Sequence, residues 1–321
     1  LILSFWLITR PEPLPPLPDP NGYDRLIAAA GNIKITEPLM PQPESDIDDE
    51  ALRFTVEINR EVLAATRDAL ELPARIPLSK DLQSDIRHTS HLRQLARLLI
   101  ATGKLAEHEG RISDAATNSV DAVRLGHAVT RGAFFLYMLV GVAIESTGHN
   151  ALLQLAPKLD ASTAQQVSQQ LADLEQGREP FEATLAAERR WTRIAIPWTD
   201  RFLLTLSSQG KKLKQPAVAA GLAAHRRVRA LTRLVILKIA LHQCHQQQGQ
   251  FPERLDELSL PDLPDATTDP YTDKPLVYRR ENGAYQLYSV GPNQQDEQGQ
   301  GPDPNAATQT SDDISAWPEG F

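Results

Sequence analysis

The sequence predicts a mainly α protein, an irregular helical bundle, closed by a small α+β unit at its C-terminal end. Three observations lead there. Apolar residues recur at three- and four-residue spacings from Ile47 to about Leu155, and again on a long segment ending near Gln248. Hydrophobic residues make up 41% of the chain but aromatics only 6%, a balance that favours helices over an all-β sandwich. Near the end, alternating apolar residues flank Asn282-Gly283, a two-residue hairpin turn. The chain divides into 1–20, an apolar stretch and proline-rich spacer; 21–215, helical; and 216–321, a long helix, β-hairpin and acidic loop. At 321 residues a core of ordinary size can form, and the net charge of −8 names no partner. The single Cys244 excludes an intramolecular disulfide and a four-cysteine zinc site.

The first eight residues, "LILSFWLI", are almost unbroken apolar and end at Thr9-Arg10. A membrane span needs about twenty residues. Two readings fit: the exit end of a longer span truncated upstream, or a buried N-terminal segment. The adjoining residues favour the first. "RPEPLPPLPDP" holds six prolines in eleven residues, which can neither pair in a sheet nor continue a helix and so adopt stiff polyproline II. Span, rigid spacer and domain make the plan of a single-pass inner-membrane anchor with the bulk of the chain extracytoplasmic, in the periplasm.

In "DDEALRFTVEINREVLAATRDAL", Leu52, Val56, Val62, Leu63 and Leu70 keep helical spacing, and Asp48, Asp49 and Glu50 enrich the first turn as the helix dipole prefers. Pro73 and Pro77 end this helix. A second opens after Ser79 and is expected to stop at Gly103. "ATGKLAEHEGRISDAATNSVDAVRLG" reads as a helix-turn-helix, and its Gly103, Gly110, Ile112, Ala115 and Ala122 fall at offsets similar to those of a tetratricopeptide unit. A second copy would need a glycine near Tyr137, where none stands, so a single hairpin is expected and not a solenoid. Ala133 to Ile144 is too short to span a bilayer and reads as a central core helix. "LDASTAQQVSQQLADLEQGREP" comes next as an amphipathic helix capped by Ser162 or Thr163 and stopped by Gly177.

Between Arg189 and Lys238 stand twelve basic residues and one acid, Asp200. Arg189, Arg190, Arg193, Lys211, Lys212, Lys214, Arg226, Arg227 and Arg229, with Trp191 and Trp198 beside them, are the candidate contact surface. A solvated helix face offset by the acidic tail explains the run equally well. Anionic lipid headgroups, an acidic partner and nucleic acid could each meet such a patch. Membrane-surface contact comes next, because the anchor places the domain near lipid, and nucleic acid last, because no reader motif accompanies the charges.

The C-terminal unit runs helix, "GQFPERLDEL", "DPYTDKPLVYR", "YQLYSVGPNQQD", a glycine-rich acidic loop and "DDISAW". The order resembles the C-terminal domain of major pseudopilins of type II secretion systems. Gly249, Phe251, Pro252, Leu255, Leu258, Asp269, Pro270, Pro275, Tyr278, Tyr285, Leu287, Ser289, Gly291, Asp313, Ile314 and Trp317 carry it over the last ninety or so residues. The whole chain is similar to large planctomycete-type proteins with an N-terminal anchor, "PDPNGYD" and this same unit. The pseudopilin resemblance implies a loop wrapped around Ca2+ by aspartates and backbone carbonyls. By position, Asp313 matches one family aspartate, Asn293 replaces another with the loss of a charge, and Asp296, Asp303 and Asp312 stand near enough to substitute. Such an ion would order a segment that buries too little apolar surface to order itself. Pseudopilins run their apolar helix directly into the domain. Here about 200 residues and a proline spacer intervene, so a filament subunit is not expected.

No catalytic site is legible. His242, Cys244 and His245 share one helix, as do His88 and His91, and both pairs read as surface residues without further ligands. His108 between Glu107 and Glu109 faces away from both neighbours. No P-loop, G-x-S-x-G, H-E-x-x-H or G-x-G-x-x-G is present. The expectation is a membrane-tethered binding or scaffold protein, not an enzyme. The alternatives are an accessory component of a type II secretion or type IV pilus-like system, and an enzyme whose site is assembled from distant residues of the helical body.

Overall fold

The computed structural model describes residues 15–34, 49–197, 208–281, 283–301 and 311–316, with the side chains of 208–214 outside that description. Its helices are α1 Gly22–Ala30, α2 Asp49–Ile58, α3 Arg60–Leu70, α4 Leu82–His108, α5 Ile112–Thr130, α6 Phe135–Leu155, α7 Ala161–Gln176, α8 Phe181–Ala195 and α9 Ser208–Gln248. A small antiparallel sheet of β1 Val277–Glu281, β2 Ala284–Ser289 and β3 Ile314–Ser315 lies in that order against α9. The expected mainly helical body with a small β-containing end is what forms.

The "PDPNGYD" stretch is tied down by one side chain. Asn21 caps α1, accepts from Arg75 N at 3.0 Å and donates to Arg75 O at 2.9 Å. The helix expected from Ile47 onward is instead two, broken at Asn59. That side chain is fully buried and bonds Lys34 N, Lys34 O and Thr55 O, so it competes with the helical ladder. Helix α4 starts from Asp81, which accepts from Ser84 N, and it runs straight through Gly103 to His108, with Gly110 just beyond it at φ +76°. Gly103 serves close packing, not termination: a Cβ there would lie 3.3 Å from Ala115 O across the α4–α5 hairpin. Helix α7 is capped by Asp160, through bonds to the amide and hydroxyl of Thr163, and not by Ser162 or Thr163.

Helix α6 is the central one, with α5 pressed against it. A Cβ on Gly141 would sit 2.7 Å from Gly126 O and one on Gly148 2.7 Å from Ser119 O, so two backbones touch where other residues would hold them apart. Two cores flank this pair. One gathers Tyr23, Leu92, Leu95, Leu99, Phe134 and Met138. The other joins Leu152, Leu171, Leu234, Val235 and Leu237 to Phe251, Tyr285, Leu287 and Ile314 of the C-terminal unit. Position 215/216 lies inside α9, which contributes to both cores through Val228 on one side and Leu231 onward on the other.

The expected placement, a single-pass inner-membrane anchor with the bulk of the chain in the periplasm, is corrected in its anchor: among the described residues no helix is long and apolar enough to cross a membrane. "LILSFWLI", which carried that expectation, lies outside the described residues.

Candidate metal centre

The hairpin fixes the ground on which the acidic loop stands. Strand β1 pairs with β2 from Val277 opposite Tyr288 to Glu281 opposite Ala284, and β3 adds Ile314 opposite Ser289. Gly283, with φ +82°, makes the turn. Asp269 of the Asp-Pro pair is 1% exposed and accepts from Tyr271 N, Ser289 Oγ and Val290 N at 2.9–3.0 Å. It thus locks the preceding loop to the end of β2. Tyr271 donates to Ala223 O of α9, and Tyr278 to Pro252 O.

From there the chain turns back through Gly291, whose φ is +65° and whose added Cβ would come within 2.2 Å of Asp312 O. Only glycine lets the loop pass so close. The two ends of the loop then meet. Glu297, Asp312 and Asp313 offer three carboxylate oxygens all within 4.8 Å of one another. Asp313 is 2% exposed; its Oδ2 accepts from Gly299 N at 2.7 Å and Glu297 N at 3.1 Å. Asp312 Oδ2 accepts from Asn293 N at 3.1 Å. Asp312 Oδ1 and Asp313 Oδ1 are buried with no hydrogen-bond partner.

Three carboxylates this close repel one another. Burial, and then the Glu297 carboxylate, push Asp313 up to about 7, and burial also raises Asp312, which the Asn293 amide and then Arg227 partly offset. Two buried, unsatisfied carboxylate oxygens need a proton or a cation. A hard cation with oxygen ligands suits this donor set, and the trio is able to hold a metal ion.

The residues named from sequence are only partly assembled. Asp312 and Asp313 meet. Asp296 stands apart, engaged by Arg279 at 3.0 Å and the Tyr288 hydroxyl at 2.6 Å. Asn293 turns its amide nitrogen to Glu297 at 2.6 Å and its oxygen to Gln295 N, so it braces the loop. Asp303 lies outside the described residues. Glu297 was missed, although its position beside Asp296 in the acidic loop was a usable signal.

Among the described residues the basic run does not form one face. Trp191 stacks on Phe134 at 4.7 Å, and Arg229 binds Glu175 at 2.7 Å. Arg189 and Arg193 are exposed on α8, Arg190 lines a largely apolar cleft with Arg75 and Glu179, and Arg226 and Arg227 are half-buried on α9. Lys211, Lys212 and Lys214 lie on α9, but their side chains, like all of Trp198, fall outside the described residues.

The histidines behave as structural groups. His242 is not a surface residue: it sits under the hairpin, 3.3 Å from the Tyr285 hydroxyl, and burial lowers it to about 4. His245 stacks on Phe251, and His108 binds Asp49 at 2.7 Å. His88 joins a chain from Ser84 through Tyr23 and Tyr137 to Asp85. Sequence reading also missed a buried ion network. Glu145 and Glu175 both bind Arg178, at 2.7 Å each, with the three side chains 0–5% exposed. Glu145, the one charge in an apolar helix, was the available signal.

No family model matches the chain, and neither the search of curated proteins nor that of solved structures found a match.

Proposed function

We propose that the chain is a binding or scaffold protein without catalysis, whose C-terminal unit is ordered by one Ca2+. The observation that carries this is the Glu297–Asp312–Asp313 cluster with two orphaned buried oxygens, joining two segments that otherwise bury little apolar surface. Calcium accepts irregular sets of six to eight oxygens, whereas magnesium demands near-octahedral geometry. The ordered loop and hairpin would then present a fixed surface to a protein partner, with the exposed Arg189 and Arg193 as a second contact; nucleic acid is not the expected partner. Thermal unfolding in millimolar calcium, then in excess chelator, tests the reading. A calcium-specific rise in midpoint supports it, and an unchanged midpoint overturns it.

A second reading, an accessory component of a type II secretion or type IV pilus-like machine, draws support from the order of long helix, Asp269 turn, hairpin and acidic loop. Crosslinked pull-down of the tagged chain should then enrich secretin, pilin-like or secretion ATPase subunits; recovery of none of them argues against it.

A further inference from the structure

We propose that a cleft between α7, α9 and the loop at 262–265 binds a small oxyanion, the phosphate or carboxylate head of a small molecule, through Arg229 and Arg233. The cleft encloses about 370 Å3 and its lining includes Glu175, Gln176, Arg229, Arg233, Asp262 and Asp265. That volume is at the lower end of small-molecule pockets.

The argument begins with charge. Arg178 and Arg229 answer Glu145 and Glu175, two against two. Arg233, one turn beyond Arg229, is left over. It is 4% exposed, its Nη1 donates to Thr268 O, and its Nε is buried with no partner. Among the described residues no carboxylate oxygen comes within 4.0 Å of it. Glu175, Asp265 and Asp269 act on it only through space; Glu175 is already engaged by Arg178 and Arg229, and both oxygens of Asp269 are taken by donors of its own loop and of residues 289–290. A buried guanidinium with no counter-ion is costly, and burial pushes this one below its ordinary range.

Geometry supplies the complement. Four residues apart on α9, Arg229 and Arg233 share one helix face. Arg229 spends its Nε on Glu175, and among the described residues no hydrogen bond uses its terminal nitrogens. Guanidinium forks fit oxyanions two oxygens at a time. Gln176 is fastened to Asp262 O, which holds the loop against α7 and keeps the cleft formed. Asp262 and Asp265 repel a polyanion from this side. The ligand class is therefore a molecule with a single anionic head and a neutral or amine-bearing body.

Isothermal titration calorimetry of the full chain tests this, with sodium phosphate and sodium acetate as separate probes at constant ionic strength in chloride. Saturable one-site binding of either is expected, and the tighter probe identifies the head group. Arg233→Gln should weaken it at least tenfold. Asp262→Asn, at an exposed position, should tighten it severalfold by removing a like charge, and it decides the matter should Arg233→Gln fail to fold. Saturation by neither probe, wild-type affinity in a folded Arg233→Gln variant, or unchanged affinity in Asp262→Asn would each overturn the site.

Discussion

Two clusters of carboxylates in this molecule differ in what surrounds them. In the helical body, Glu145 and Glu175 are buried with Arg178 between them and Arg229 outside, so the charges are balanced by the chain itself. In the C-terminal loop, Glu297, Asp312 and Asp313 meet, among the described residues, backbone amides, one side-chain amide and the through-space charge of Arg227. The first cluster is complete as folded. The second is complete only with a cation or a proton. The difference lies in sequence distance: Arg178 is held at the α7 end, where helix packing fixes it, whereas the loop offers no lysine or arginine after Arg280.

Acid should separate the two most strongly. His127 and His149, buried beside the ion network, are lowered to about 3 by burial and then by Arg178. Their ordinary value is near 6.5, so their contribution is present above 6.5 and is lost as pH falls toward 3, at about 1.4 kcal/mol per pH unit for each. Asp313 works in the opposite sense in calcium-free protein. Raised to about 7, it contributes most below its unfolded value near 4 and loses that contribution as pH rises through 7. Urea unfolding of chelated protein across this range should show the histidine slope shrink in a His127→Gln/His149→Gln variant. An unaltered slope would break the comparison.

Removing the internal counter-charge comes next. Arg178→Met leaves two carboxylates buried together and should cost about 3–5 kcal/mol, with or without calcium. In the loop, Asp313→Asn should abolish the calcium-dependent gain, about 2.7 kcal/mol at a hundredfold excess over Kd, while leaving the chelated protein no less stable. The smallest effect sharpens the boundary of the site. Arg279→Ala frees Asp296 from an exposed pair worth about 0–1 kcal/mol and should leave the calcium shift unchanged. A lost shift would move Asp296 into the site.

The helices and the hairpin were legible because periodicity and turn chemistry are local. Gly283 turns a hairpin whose strands pair in register, and the apolar run at 133–144 marked the central helix. What sequence missed depended on long-range contacts. Asn59 breaks a helix through bonds to Lys34, and Gly103 serves the neighbouring helix and not an end. At the candidate site Asp313 was named through the resemblance of the C-terminal unit to pseudopilins, and Asp312 as its neighbour. Glu297 was chosen over Asp296 by Arg279 and Tyr288, which draw Asp296 away. Trp191 and Arg229 looked like surface groups because a run of charges does not state which of them turn inward.

The most direct test of the central claim is calorimetric melting of wild type and Asp313→Asn in calcium, in magnesium and in chelator. The cation-completed loop predicts a midpoint that rises with millimolar calcium in wild type alone, is reversed by chelator and is not reproduced by magnesium. A wild-type midpoint indifferent to calcium would contradict it.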